Sequence, residues 1–294
     1  CSLLLLVLGL IVSCQTFEPV IDTQSSPEDS SKTRLRAMLQ SKDTRWSEDE
    51  LNIPAENAGW REIKDVSELA FLLEFGSTSG EKYRLMADLN VSSSEIADKL
   101  TSETGIESFE NFEFDGNCKT VSGLDLPWAA GLFSRVKDAR IYDLTIADSR
   151  FGSESNISNL NGTGALIGNA EGTLDVSRVN IEACEVSAPC KVGGVAGALH
   201  DVDAIFSGCN VNDTHVSTLY VRGVSGWCGG FIGFVGRDEE TNASSAVSVT
   251  AENCSVTGGD VKAHMESSTR YSGTFLGTLN GNDYNEVVDM KNCQ

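Results

Sequence analysis

With 294 residues the chain is long enough for one large domain carrying a small N-terminal appendage. Its 22 Lys and Arg stand against 43 Asp and Glu, a formal charge of −21, which argues against nucleic acid or an anionic membrane surface as partner, because both need basic contacts. The same charge does not select an acidic-site enzyme, since a merely soluble surface carries it equally well.

The chain opens on CSLLLLVLGLIVSCQ, apolar from Leu3 to Val12. A helix of that length rises about 15 Å, half of a bilayer core of roughly 30 Å, so residues 1–14 read as a secretory signal segment rather than a membrane span. Cys14, in LIVSC ahead of Gln15, resembles the acylated first residue of a bacterial lipoprotein, and an ordinary signal peptide cut nearby is the alternative. The expected location is secreted or cell surface, with membrane contact only through that lipid. The missing initiator Met reads as a truncated start. Six N-x-Ser/Thr sites, at Asn90, Asn156, Asn161, Asn212, Asn242 and Asn253, are glycan acceptors if the pathway is eukaryotic.

Residues 15–55 are rich in Pro, Ser and acidic side chains and read as a flexible linker. Residues 56–129 read as an N-terminal cap with irregular first coils. In WREIKDVSELAFLLEFG, Asp65 caps a short helix with Glu68 in reach, Leu69, Phe71, Leu72 and Phe75 form its apolar face, and Gly76 closes it. Tyr83, Leu85, Leu89 and Val91 then alternate as strand, and Asp115-Gly116 reads as a tight turn.

From residue 130 to 294 the chain repeats. AGLFSRV, GALIGNA, GGVAGAL, GGFIGFV and GTFLGTL start at Ala130, Gly164, Gly193, Gly229 and Gly273, and each precedes a second apolar strand. Taking Gly131, Gly164, Gly194, Gly230 and Gly273 as anchors, the separations are 33, 30, 36 and 43 residues. Two short strands per period with loops of unequal length suit a stacked solenoid better than a sandwich. The glycines are expected to supply turn conformations closed to other residues and to let strands run close to the opposite wall. Cys184, Cys209, Cys254 and Cys293 each end a second strand and are expected to form one internal column of free, small apolar fillers. Cys190 and Cys228 are the better-placed covalent pair, and Cys118 has no obvious partner.

These features resemble the GLUG repeat family of bacterial and microbial surface proteins, read as a Gly-Gly-apolar-apolar-Gly strand, a bend, and a strand ending in Asn-Cys. Gly193 to Gly197, Gly229 to Gly233 and Gly273 to Gly277 match the first half; Asn253-Cys254 and Asn292-Cys293 match the second. YRLMADLNVS and FEFDGNCKTVSGLDL are similar to the lead-in of that group, so the resemblance covers about residues 59–294. It implies a right-handed parallel β-helix with a short N-terminal capping helix, and it leaves function open, since such repeats occur beside protease domains and in adhesins alike.

No residue pattern supplies a reaction. His200, His215 and His264 lack the spacing of a zinc motif and read as surface or bend residues. GTGALIG resembles a dinucleotide fingerprint in letters only and lacks the following helix. No cofactor is expected; structural calcium in the turns NLNGTG, LNGNDYN and FDGNC is the alternative, Asn and Asp beside Gly being turn formers first. The expected function is therefore non-catalytic: a surface glycan or protein ligand held along the rod, or a structural spacer. Outward Tyr142, Tyr220, Trp227 and Tyr271 are the candidate binding residues, although Trp227 with Phe231 also suits core or flank packing. The enzymatic alternative, a polysaccharide lyase or glycoside hydrolase, would use Asp175, Asp201 and Asp203 converging about 5 to 9 Å apart on one face.

Overall fold

The protein, seen here as a computed structural model, is described at residues 55–56, 59–77, 80–91, 108–152, 162–221, 226–236, 247–264, 270–280 and 286–294. The signal-like segment with Cys14, the linker up to residue 54, and the acceptor sites Asn156, Asn161 and Asn242 lie outside the described residues. Among the described residues no helix is long and apolar enough to cross a membrane.

Strand β1 (Ala55–Glu56) lies antiparallel to β2 (Trp60–Ile63), and helix α1 (Val66–Phe75) follows. Asp65 Oδ1 accepts from the Glu68 amide at 3.0 Å, while Glu68 accepts from the Lys64 amide at 2.5 Å, so two unpaired amides at the helix start are satisfied reciprocally. Gly76, at φ 64, ends the helix by donating to the Leu72 carbonyl. Leu69, Ala70, Leu72 and Leu73 are buried, whereas Phe71 and Phe75 stay half-buried against each other.

Every later pairing is parallel. The lead-in supplies β3 (Lys82–Leu85), β4 (Leu89–Asn90), β5 (Ser108–Ser122) and β6 (Asp125–Leu126). Next come β7 (Phe133–Ala147), β8 (Arg150–Phe151), β9 (Thr163–Gly164), β10 (Ile167–Glu182), β11 (Glu185–Ala188) and β12 (Val192–Gly193). Then follow β13 (Ala196–Ser207), β14 (Asn210–Asn212), β15 (His215–Thr218), β16 (Gly226–Gly229), β17 (Ile232–Gly236), β18 (Val247–Glu252) and β19 (Ser255–Thr257). The stack finishes with β20 (Asp260–Lys262), β21 (Arg270–Gly273), β22 (Leu276–Asn280) and β23 (Glu286–Lys291).

These strands form three sheets. The largest has 14 strands, nine along the path β1-β2-β3-β5-β7-β10-β13-β17-β22 with β4, β14, β18, β19 and β23 continuing the same ladders beside it; the second runs β20-β15-β11-β8-β6 and the third β21-β16-β12-β9. The result is a right-handed parallel β-helix with one short N-terminal helix. The lead-in belongs to the same ladder: Phe112 pairs with Ala139, Phe114 with Ile141 and Val121 with Ile146. Asp115-Gly116 is accordingly not a reversing turn. It lies inside β5 at a register shift between Asp115 and Lys119, where Asn117 and Cys118 take φ 50 and 55.

Two corners explain the chain's Asn, Asp and Gly usage. Gly123, Asp148, Ala183, Asp213 and Gly258 occupy one corner in successive coils, at φ 70, 48, 51, 49 and 67. Asp143, Arg178, Gly208, Asn253 and Asn292 occupy the other, at φ 55, 52, 62, 55 and 52. Left-handed backbone is cheapest for Gly and tolerable for Asn and Asp, so the repeats place those residues there. Asn253 in Asn-Cys is thus the corner, and the Cys after it is the first side chain turned into the core.

The repeat glycines do a different job from the one their sequence suggests. None of Gly131, Gly164, Gly194, Gly230 and Gly273 sits at positive φ. They are needed because backbones approach closely: a Cβ on Gly194 would lie 2.2 Å from the Gly230 carbonyl oxygen, and one on Gly273 would lie 2.1 Å from that of Leu276. The last glycine of each motif meets the coil beneath, Gly233 facing the Val192 amide and Gly277 the Cys228 backbone, at 2.5 and 2.7 Å from such a Cβ.

The cysteines divide. Cys209, Cys254 and Cys293 stack in one column, following Val179 of the coil beneath. Cys184 belongs to the other corner, in line with Ser149 and Thr214, and its amide donates to Thr214 Oγ1 at 3.3 Å. The expected single column is therefore two, because β10 runs through the Arg178 corner and ends at the Ala183 corner, which Cys184 follows. Cys190 and Cys228 are not joined by a disulfide, since Cys228 pairs in register with Val192, two residues beyond Cys190. Cys118 is disulfide-bonded. Burial pushes the Cys184 thiol up to about 11 and the Cys228 thiol up to about 12, so the unfolded chain loses these protons first as pH rises from about 9. Stability is therefore expected to fall between pH 9 and about 12, and Cys228→Ala, followed by urea midpoint against pH, is expected to flatten that fall.

The described residues of β22 and β23 are less enclosed than the rungs beneath. Leu279 and Met290 point inward but are 43% and 49% exposed, whereas Val235 and Ala251, their register partners one coil beneath, are 0% and 1% exposed.

Candidate functional site

Two outer faces carry chemistry. On the large sheet, register places Lys82, Glu113, Arg140 and Asp175 side by side in successive coils, a column of alternating charge. Lys82 Nζ lies 2.8 Å from Glu113 Oε2, and Arg140 reaches Glu113 at 3.9 Å and Asp175 at 3.4 Å. Two residues along, Arg84 Nε meets Asp115 Oδ2 at 2.7 Å, and Trp60 stacks beneath Arg84 with 4.6 Å from ring centre to Cζ. Lys82, Glu113 and Arg140 border a shallow groove of about 470 Å³ that spans several coils, with Thr173, Asp175, Asp203 and Ile205 at its far end.

Tyr142 belongs to this network instead of standing free. Its hydroxyl donates to Glu113 Oε1 at 3.2 Å and Arg140 lies over its ring at 4.9 Å. Burial, then the charges of Asp115 and Glu113, raise its pKa above the ordinary phenol value. Asp175 and Asp203 share the groove, Asp203 opposite Thr173 and Asp175 opposite Ile205. Asp201 does not join them: it is a corner residue at φ 45 with a buried carboxylate oxygen. The carboxylates of Glu113, Asp115 and Asp175 are all engaged by cations, which suits a rigid charged surface.

On the four-stranded sheet, Trp227 and Tyr271 are register partners in β16 and β21, pointing outward while the neighbouring Cys228 points into the core. Parallel neighbours lie about 4.8 Å apart, so the two residues stand side by side on one outer face. Tyr271 is 48% exposed and Trp227 half-buried. Trp227 is propped from behind by Phe234, stacked at 5.1 Å between ring centres, and Lys191 Nζ lies 4.8 Å from the Phe234 ring and 5.9 Å from that of Trp227. His200 closes the patch, its ring 5.3 Å from Phe234. Phe231 is instead a core residue, stacked on Phe275 at 4.4 Å. Tyr220 is exposed and lies just past β15, outside the Trp227–Tyr271 register.

Sequence reasoning missed Lys82, Glu113, Arg140 and Lys191. The signal for the first three is alternation of charge at one phase of successive coils, readable only when the lead-in is known to be in register with the repeats. Among the described residues no group of three His, Cys, Asp or Glu is arranged to hold a metal ion. The Asp115 carboxylate of the Phe-Asp-Gly-Asn turn is taken up by the Asn117 amide and Arg84, and the other two turns proposed for calcium fall largely outside the described residues. His215 meets Asp260, whose carboxyl is held below its usual range by Lys262 first and His215 second, on an exposed surface.

Three parallel sheets wound about one apolar interior, with a charged groove and outward aromatic residues on their outer faces, define a parallel β-helix. In fold the chain is similar to a Bacteroides ovatus protein solved at 1.30 Å and described as a candidate immunoglobulin A1 protease, with a TM-score of 0.52 and 14% sequence identity over 81% of this chain and 76% of that one. The chain matches no protein-family model and no curated protein. At this identity the likeness concerns the fold alone.

Proposed function

We propose that the chain is an exported, surface-displayed, non-catalytic β-helix of the GLUG-repeat type that binds an extended glycan on its flank. The observation carrying this reading is the outward Trp227–Tyr271 pair, propped by Phe234 and bordered by Lys191. Rings on adjacent strands present flat apolar faces at a spacing that suits pyranose rings, and Lys191 supplies a cation for hydroxyl or carboxylate groups in a chain otherwise strongly acidic. The family resemblance is supported by the physical roles found for the Gly-Gly-apolar-apolar-Gly and Asn-Cys positions. Export and surface display rest on the apolar leader and Cys14.

A glycan array with the purified chain tests this. The wild type is expected to retain a subset of glycans, and Trp227→Ala and Tyr271→Ala each to weaken binding about tenfold, equivalent to about 1.4 kcal/mol. No retained glycan at high protein concentration, or both variants binding as wild type does, overturns the reading. One observation favours the enzymatic alternative, namely that Asp175 and Asp203 share a groove with Arg140. Release of reducing or unsaturated ends from a polysaccharide, lost in Asp175→Asn or Asp203→Asn, would put that alternative first.

A further inference from the structure

Lys191 belongs to the same row of the four-stranded sheet as the two outward rings. It precedes Val192 as Trp227 precedes Cys228 and Tyr271 precedes Ser272, and Val192, Cys228 and Ser272 are register partners in successive coils. The order along the rod is therefore ammonium, indole, phenol. Lys191 holds φ 53, a left-handed backbone uncommon for lysine, where Gly162 stands at φ 143 one coil earlier. Its ammonium lies over the Phe234 ring, which is 2% exposed and stacked on Trp227, so the cation is held in place before any ligand arrives.

That cation has no counter-charge of its own. Lys82, Arg84, Arg140 and Arg150 each have a carboxylate within 3.4 Å, whereas among the described residues no carboxylate is paired with Lys191. In a chain of formal charge −21, a half-buried ammonium seated on aromatic rings and left unneutralised is suited to an anion brought by the ligand.

We propose that the glycan held on this flank is acidic, a polysaccharide in which uronate residues are separated by neutral sugars, and that Lys191 is the residue selecting it; the inference rests on the flank binding glycan at all. A sugar ring stacked on Trp227 turns its edge, and with it the carboxylate of a uronate, toward Lys191. The pair forms beside apolar rings that exclude water, where it gains more than on an open surface. One ammonium offsets one carboxylate. A sulfated chain carries more charge than this single cation neutralises, and the acidic protein repels the remainder, so an interspersed uronate is the favoured occupant.

The test measures the affinity of the full chain, by calorimetry, for two probes: an oligosaccharide alternating glucuronic acid with a neutral sugar, and the same oligosaccharide after reduction of its carboxyls to hydroxymethyl groups. The wild type is expected to prefer the acid about fivefold, the size of a partly exposed ion pair. Lys191→Met, which keeps an apolar stem over Phe234, should bring the ratio to about one, and Lys191→Arg should hold it above one. The wild-type ratio needs no variant, so it decides the matter even where Lys191→Met fails to fold. If no glycan of any kind is retained, the glycan reading falls and this inference with it. If glycan is retained but the wild type binds the two probes equally or binds neither, if the preference survives in Lys191→Met, or if a sulfated version of the oligosaccharide binds more tightly than the uronate, the acidic ligand alone is overturned.

Discussion

Gly197→Val is expected to abolish the native stack. A Cβ at this position would lie 2.1 Å from the Thr163 amide nitrogen, 2.5 Å from the Gly162 carbonyl carbon and 2.8 Å from the Gly168 oxygen. All three are main-chain atoms, so no side-chain rotation relieves the clash and the coils must separate. The expected loss is at least about 3 kcal/mol, a large share of the 5–15 kcal/mol that typically holds a domain together. Gly208→Ala is the control: only Arg178 Cγ lies nearby, at 3.8 Å, and the cost is the left-handed φ of 62, about 1 kcal/mol. Urea midpoints followed by far-UV circular dichroism separate the two; equal midpoints would mean that close backbone approach is not what the motif protects.

Phe133→Ala is the second large effect. Its ring is fully buried, with Phe109, Phe112 and Phe114 each 5.1 Å away between centres, all three meeting it edge to face. Phe109, Phe112 and Phe114 come from the lead-in strand β5, and Phe133 opens the first glycine-led coil, so this cluster joins the two regions. Removing the ring leaves a cavity worth about 3–5 kcal/mol. The expected readout is a lowered urea midpoint, with Phe133→Leu recovering most of it; an Ala variant as stable as wild type would show that the core there collapses without cost.

The fold was legible because its signals repeat. Five glycine-led segments announced five rungs, and Asp65, Glu68 and Gly76 announced the helix and its ends. What did not repeat was harder to read. The lead-in has no glycine motif, so its register with β7, and with it the Lys82–Glu113–Arg140–Asp175 column, cannot be found from spacing alone. Cys184 looked like its neighbours because it too ends a strand, yet β10 runs through one corner before reaching another. Conversely, Asp201 lies two residues from Asp203 but serves the backbone, since a left-handed corner favours a short polar side chain whatever chemistry surrounds it. Of the proposed binding aromatics, Trp227 and Tyr271 meet because their strands are successive rungs of one ladder, while Tyr142 is absorbed by charges that only the lead-in register brings alongside.

The Phe109–Phe112–Phe114–Phe133 cluster gives the rod a slow centre. A rung sandwiched between two others must break both contacts to leave, so backbone openings cost most where the packing between rungs is aromatic and complete. Amide exchange would then report that cost like tree rings, slowest in β5 and β7.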